Sequence, residues 1–130
     1  MISIDDFKKM EIKIGQILSA EKVLDTDKLL KLSVDFGLKP QSGSPDHPAL
    51  QNGLGERDIR QIVSGISTYF SEPQVLVGKK CAFATNLEPR IIKGLESNGM
   101  ILAVSGEKDG ETFFSLLETS QNVSSGSQVK

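Results

Sequence analysis

A single cysteine, a single histidine and no apolar run long enough to cross a bilayer set the first limits on this 130-residue sequence. One thiol cannot close an internal disulfide or build a thiolate zinc site, and Cys81, set in Cys-Ala-Phe-Ala, reads as a small core hydrophobe. His47 has no acid, thiol or second histidine at ligand spacing, so it reads as a solvated loop residue and not as a metal ligand or base. A membrane helix needs roughly 18 consecutive apolar residues, and Asp5 and Asp6 stand where a signal peptide carries cations. The expectation is a cytoplasmic protein with no membrane segment. Also missing are a Gly-rich phosphate loop, a paired-carboxylate motif, a metal-ligand cluster and a nucleophile elbow. Asp25 and Asp27 read as turn formers. No enzyme, no metal and no cofactor is expected.

What is present is a globular composition, 38% hydrophobic and 25% charged, long enough to bury a core, and residues 1–130 read as one domain. The net charge of -2 argues against nucleic-acid binding by bulk charge. Its distribution is uneven: residues 60–93 hold five cations and two anions between two flanks of net negative charge. Five cations over such a stretch are also what a solvated face contains.

Along the chain, Ser3 and Asp6 resemble a capping box, and Ile4, Phe7 and Met10 share one helical face, which predicts an N-terminal helix of about two turns. From Glu11 to Leu18 the period becomes two, with Gly15 as a bulge or barrel bend. Asp25-Thr26-Asp27 makes a turn into a second strand, where Leu30, Leu32, Val34 and Phe36 alternate with Lys31, Ser33 and Asp35, so the two strands pair as an antiparallel hairpin. The pattern then vanishes over residues 38–59, which hold three of the five prolines and read as a long loop insertion. Arg60 to Ser64 is a short third strand, Glu72-Pro73 opens a short helix that stops at Gly78, and Lys79 to Thr85 is a fourth strand. Met100 to Val104 is a fifth and Thr112 to Leu117 a sixth, before a Ser/Gly-rich end.

Asn86 to Met100 combines turn residues, two cations and two glycines between apolar strands. Asn86 and Pro89 end the strand before it, because proline lacks an amide donor and Asn closes a turn on its own backbone. Arg90 and Lys93 then stand on a short exposed arm, Ser97 lies between Gly94 and Gly99, and the whole reads as a polar, partly irregular rim on a β framework. Folded RNA is recognised through its backbone shape, with Lys and Arg on phosphates and small polar groups on 2′-hydroxyls or bases. On that ground Lys28, Lys79, Lys80, Arg90 and Lys93 are candidate phosphate or sugar contacts, and Ser64, Asn86 and Ser97 candidate hydrogen-bonding residues. Each of these lysines has the alternative of being a solvated surface residue, and Asn86, Ser64 and Ser97 that of being turn and cap residues only.

Short strands, a curved first hairpin and one helix between strands three and four follow the order of an OB-fold, a partly open five-stranded Greek-key barrel; an SH3-like barrel shows nearly the same pattern. The residues separate the two. Asp6-Phe7, Ile12-Lys13-Ile14-Gly15-Gln16-Ile17, Asp27-Lys28-Leu29, Val34-Asp35-Phe36-Gly37, Arg60-Gln61-Ile62-Val63-Ser64-Gly65-Ile66, Val77-Gly78-Lys79-Lys80, Asn86-Leu87, Pro89-Arg90 and Gly94 with Ser97-x-Gly99-Met100-Ile101-Leu102 occur in the order of the stand-alone tRNA-binding domain family. The chain resembles that family, which also forms the C-terminal domain of many methionyl-tRNA synthetases. The resemblance implies an all-β OB-fold barrel with a short N-terminal helix and a C-terminal extension. It also implies a homodimer that binds the outside corner of tRNA without catalysis, alone or with an aminoacyl-tRNA synthetase. The alternative is a CsaA-like chaperone or protein-docking module of the same fold. Val23-Leu24-Asp25-Thr26, Glu88, Ile91 and Ile92 stand where polar or basic residues are frequent in the family. Exposed apolar side chains at Leu24, Ile91 and Ile92 would favour the docking module, and a continuous basic track would favour RNA.

Overall fold

The computed structural model describes residues 1–39 and 56–130. Five antiparallel strands curl into an OB-like barrel: β1 (Ile12–Lys22), β2 (Leu30–Leu38), β3 (Arg57–Ser64), β4 (Lys80–Ala84) and β7 (Met100–Ile101), in the order β3-β2-β1-β4-β7. Two hairpins are added to it, β5 (Arg90–Ile92) with β6 (Leu95–Ser97), and β8 (Ala103–Lys108) with β9 (Glu111–Leu116).

β1 is the strand that closes the curve, because it changes partner along its length. Ile12 to Gln16 pair with β4, and Gln16 to Lys22 pair with β2. The register shift falls between Ile17 and Ser19, not at Gly15 as the sequence suggested. Gly15 serves the bend differently: a Cβ there would lie 2.5 Å from Val34 Cγ1 and 2.6 Å from Phe36 Cε1, so only glycine lets these side chains cross under the strand.

The apolar residues of β2 point inward as the pattern required, while Asp35, between Val34 and Phe36, is also buried and pairs with Arg57. Leu30, Leu32 and Val34 are buried with Ile17, Ile62, Leu76, Cys81 and Phe83, and Phe36 meets Phe83 edge to face at 5.2 Å. Each large aliphatic or aromatic side chain buried in this way contributes about 1.5–3 kcal/mol. Burial also pushes the Cys81 thiol up to about 11, so it stays protonated and inert.

Several elements differ in extent from the sequence reading. The N-terminal helix α1 (Ile4–Phe7) is one turn, not two; Ser3 Oγ accepts from Asp6 N at 3.1 Å, but the helix buries none of its residues and so has no packing to extend it. β2 and β3 run further into the expected 38–59 insertion, with Leu38 opposite Arg57 and Lys39 N donating to Glu56 O at 2.8 Å. The rest of that segment, His47 included, lies outside the described residues. The helix after β3 is two 3₁₀ turns, Ser67–Tyr69 and Pro73–Leu76. The fifth strand divides at Leu102 into β7, in the barrel, and β8, which leaves it to pair with β9.

The C-terminal segment returns to the barrel as a strap. Ser127 O accepts from Ile14 N at 2.8 Å and Val129 N donates to Ile12 O at 2.8 Å, beside the half of β1 that β2 does not cover.

Candidate nucleic-acid interface

The stretch that reads as an irregular arm is ordered: Arg90 to Ser97 form the β5–β6 hairpin, with Arg90 opposite Ser97 and Ile92 opposite Leu95. Its two-residue turn is Lys93-Gly94, with φ of 51° and 81°, the left-handed pair that a type I′ hairpin turn requires. The hairpin lies across β3, where Asn98 N donates to Gln61 O at 2.9 Å and Gln61 Nε2 to Glu96 O at 3.0 Å. Its tip therefore projects toward the β1–β2 turn.

Two clefts result, one on either side of Lys93. The first, of about 310 Å³, lies between Asp25–Leu29 and Ile92–Lys93 and brings Lys28 and Lys93 together. The second, of about 330 Å³, lies between Glu21–Leu24, Lys31 and the Lys93 and Leu95 side of the hairpin. Lys31 is held by Glu21 at 2.6 Å, whereas Lys22, Lys28, Arg90 and Lys93 make no ion pair with any other described residue. The charge of the rim is mixed, since Glu21, Asp25 and Asp27 line the same clefts. Where a phosphate can lie is thus set by the placing of individual groups and not by bulk charge. Leu24 and Ile91, 89% and 70% exposed, protrude beside them.

The eight residues singled out in the sequence divide into groups. Lys28 and Lys93 share a cleft; Arg90, exposed at the base of the hairpin, does not line it. Ser64 ends β3 opposite Leu30, half-buried. Lys79 pairs with Glu118 at 2.8 Å, and its hydrogen bond to that carboxylate holds the ammonium above the usual lysine range. Lys80 donates to Gln121 O at 2.9 Å and Val123 O at 2.7 Å, fastening the C-terminal strap. Asn86 accepts from Glu11 N at 2.8 Å and donates to Lys9 O at 2.7 Å, joining the segment between α1 and β1 to the chain just after β4. Ser97 is 3% exposed; its hydroxyl accepts from Val63 N at 3.0 Å and donates to Gly99 O at 3.0 Å, which seals β6 against β3. Lys80, Asn86 and Ser97 thus spend their polar groups inside the fold.

Lys22 and Lys31 belong to the rim and were not singled out. The outward alternation of Lys31 was visible, but nothing in the sequence showed that a hairpin from residues 90–97 folds toward it. Among the described residues no group of three or more His, Cys, Asp or Glu is placed to hold a metal ion. No helix of the described residues is long and apolar enough to cross a membrane.

A curled antiparallel barrel with a hairpin laid beside its first turn defines an OB-like binding module. The particular family follows from comparison: the family described as "Putative tRNA binding domain" matches residues 49–128, and the chain belongs to it. The methionine–tRNA ligase of Caldanaerobacter subterraneus subsp. tengcongensis is 37% identical over 128 residues, 98% of this chain and 16% of the ligase. The chain thus spans about a sixth of that relative's length. The crystal structure of a MetRS-related protein from Pyrococcus horikoshii matches with a TM-score of 0.76 and 34% identity, over 100% of this chain and 98% of the other. The chaperone CsaA of Bacillus anthracis matches at a TM-score of 0.70 and 21% identity, over 100% and 99%, a likeness of fold.

Proposed function

We propose that the chain is a non-catalytic tRNA-binding protein that recognises folded tRNA by shape and backbone, working in the cytoplasm alone or with a methionyl-tRNA synthetase. The observation that carries the reading is the meeting of Lys28 and Lys93, distant in sequence, in one cleft where neither is engaged by a described carboxylate. Two ammonium groups on two rigid turns suit successive phosphates of a bent backbone, and membership of the family supplies the ligand class. Arg90 extends the same reading along the hairpin. Titration against unfractionated tRNA and an unstructured RNA, at two salt concentrations, tests it: tighter, salt-dependent binding of tRNA is expected, and equal binding of both RNAs at both salts overturns recognition by shape.

A homodimer belongs to this reading. Ile4 and Phe7 on α1 and Met10 just after it remain exposed and, with Val129, line a cleft of about 330 Å³ that a second copy would cover. Light scattering at micromolar concentration decides it. The exposure of Leu24 and Ile91 favours a second reading, a peptide-docking module of the CsaA type. An apolar peptide that binds this rim in competition with tRNA would put that reading first.

A further inference from the structure

Away from the rim, the turn after β3 and the β8–β9 hairpin enclose a fourth cleft, of about 430 Å³, which the sequence did not suggest. Its wall is aromatic. Tyr69 and Phe114 stack in parallel, centroids 3.9 Å apart and planes 6° from parallel, and Phe70 meets Phe114 edge to face at 5.8 Å. Phe70 and Phe114 are packed against the core, so the wall is rigid, while Tyr69 stays 51% exposed. Lys79 and Glu118 close the other side. Their ion pair occupies one of the three ammonium protons and one carboxylate oxygen, so a donor and an acceptor remain for a ligand.

A tyrosine left half-exposed in a parallel stack has a use for nucleic acid that it lacks for core packing, because every base presents a π face and stacking is tolerant of sequence. The donor and acceptor at the rim match the mixed hydrogen-bonding edge of a base. A purely apolar side chain would leave both unused. The cleft is also joined to the basic rim: Ser67 N donates to Lys28 O at 2.9 Å, so the turn that carries Tyr69 is pinned to the turn that carries Lys28.

We infer that the cleft between Tyr69, Phe70, Phe114, Lys79 and Glu118 is a pocket for one unpaired nucleobase of the bound RNA. This rests on the tRNA reading and adds to it a contact that is independent of salt. The base lies against the aromatic wall, Glu118 accepts from an exocyclic amine or ring N–H, and Lys79 donates to a ring acceptor.

The chain has one tyrosine and no tryptophan, so the ring resonances of Tyr69 report on this cleft alone. A five-nucleotide oligoadenylate should move them upfield. In the full chain Tyr69→Ala should weaken tRNA binding about tenfold with the salt slope unchanged, and Tyr69→Trp, which restores a stacking face, should return affinity to within about threefold of the parent. If tRNA binds the unaltered chain while the tyrosine signals stay fixed and Tyr69→Ala binds normally, the pocket is overturned and the tRNA reading stands. Should the unaltered chain bind neither RNA, both fall. Movement of the signals by an uncharged apolar peptide and not by the oligonucleotide assigns the cleft to polypeptide and overturns it as well.

Discussion

Two ends of the barrel treat their polar groups in opposite ways. At the end where β3 meets the 85–99 connection, Arg60 makes a two-point contact with Asp58 at 3.0 and 3.0 Å, donates to Thr85 O at 2.6 Å and lies 5.2 Å over the Phe36 ring. Thr85 donates to Glu11 Oε1 at 2.7 Å, and Ser97 and Asn86 are satisfied nearby. At the other end Lys28 and Lys93 face a cleft without an ion pair to any described residue. The same stretch of sequence feeds both. Polar residues from 86–99 are thus divided between holding the barrel shut and facing outward, and residue type does not tell which is which.

The sharpest way to break this contrast is at the closed end. Arg60→Leu should destabilise the fold by about 3 kcal/mol, since it strips Asp58 of its partner and leaves the Thr85 carbonyl without its donor. Urea unfolding measures the loss. Ser97→Ala leaves the buried Val63 amide unpaired and should cost about 2 kcal/mol in the same assay. Lys93→Ala at the open end, and Arg90→Ala at the exposed base of the hairpin, should each leave the unfolding free energy in urea within about 0.5 kcal/mol of the parent. In RNA titrations each should lower the slope of log affinity against log salt by about 0.7 to 0.9 for every phosphate that the removed cation neutralised. An unfolding defect in Lys93→Ala, or an unchanged slope in both variants, would erase the distinction between the two ends.

The smallest effect is a dependence on pH. The Thr85 hydroxyl bonded to Glu11, with Lys13 and Arg60 nearby, holds the Glu11 carboxyl below its ordinary value of 4.5. A lowered folded-state pKa gives stability that is present above the ordinary value and lost as pH falls through the folded one. Thr85→Val should therefore flatten the fall in stability below about pH 4.5, measured by urea melts at about pH 7 and about pH 3.5.

The barrel was legible because its evidence is periodic: Leu30, Leu32, Val34 and Phe36 could face only one way. The hairpin from Arg90 to Ser97 was not, since each of its strands is three residues long and its turn places lysine at a positive φ where Asn-Gly is the usual signal. Lys28 and Lys93 stand out as cations, but their meeting depends on where β6 crosses β3, a tertiary fact with no local trace. Asn86 and Ser97 stand out because they are polar and close to glycines, which describes a residue that binds the chain's own backbone as well as one that binds a ligand. The stack of Tyr69 on Phe114 joins segments far apart in sequence and had no signal at all.

The C-terminal strap bears on how fast the molecule can assemble. Among the described residues the first half of β1 gains its second neighbour from residues 126–129, at the far end of the described chain. Contacts of such long sequence separation are slow to find, so folding on the scale of milliseconds to seconds is expected in place of the microseconds of a local helical bundle. During synthesis the strand emerges early and its last partner emerges late. Until then its unpaired edge is open to wrong pairing, and this is the interval in which the protein is most exposed to aggregation.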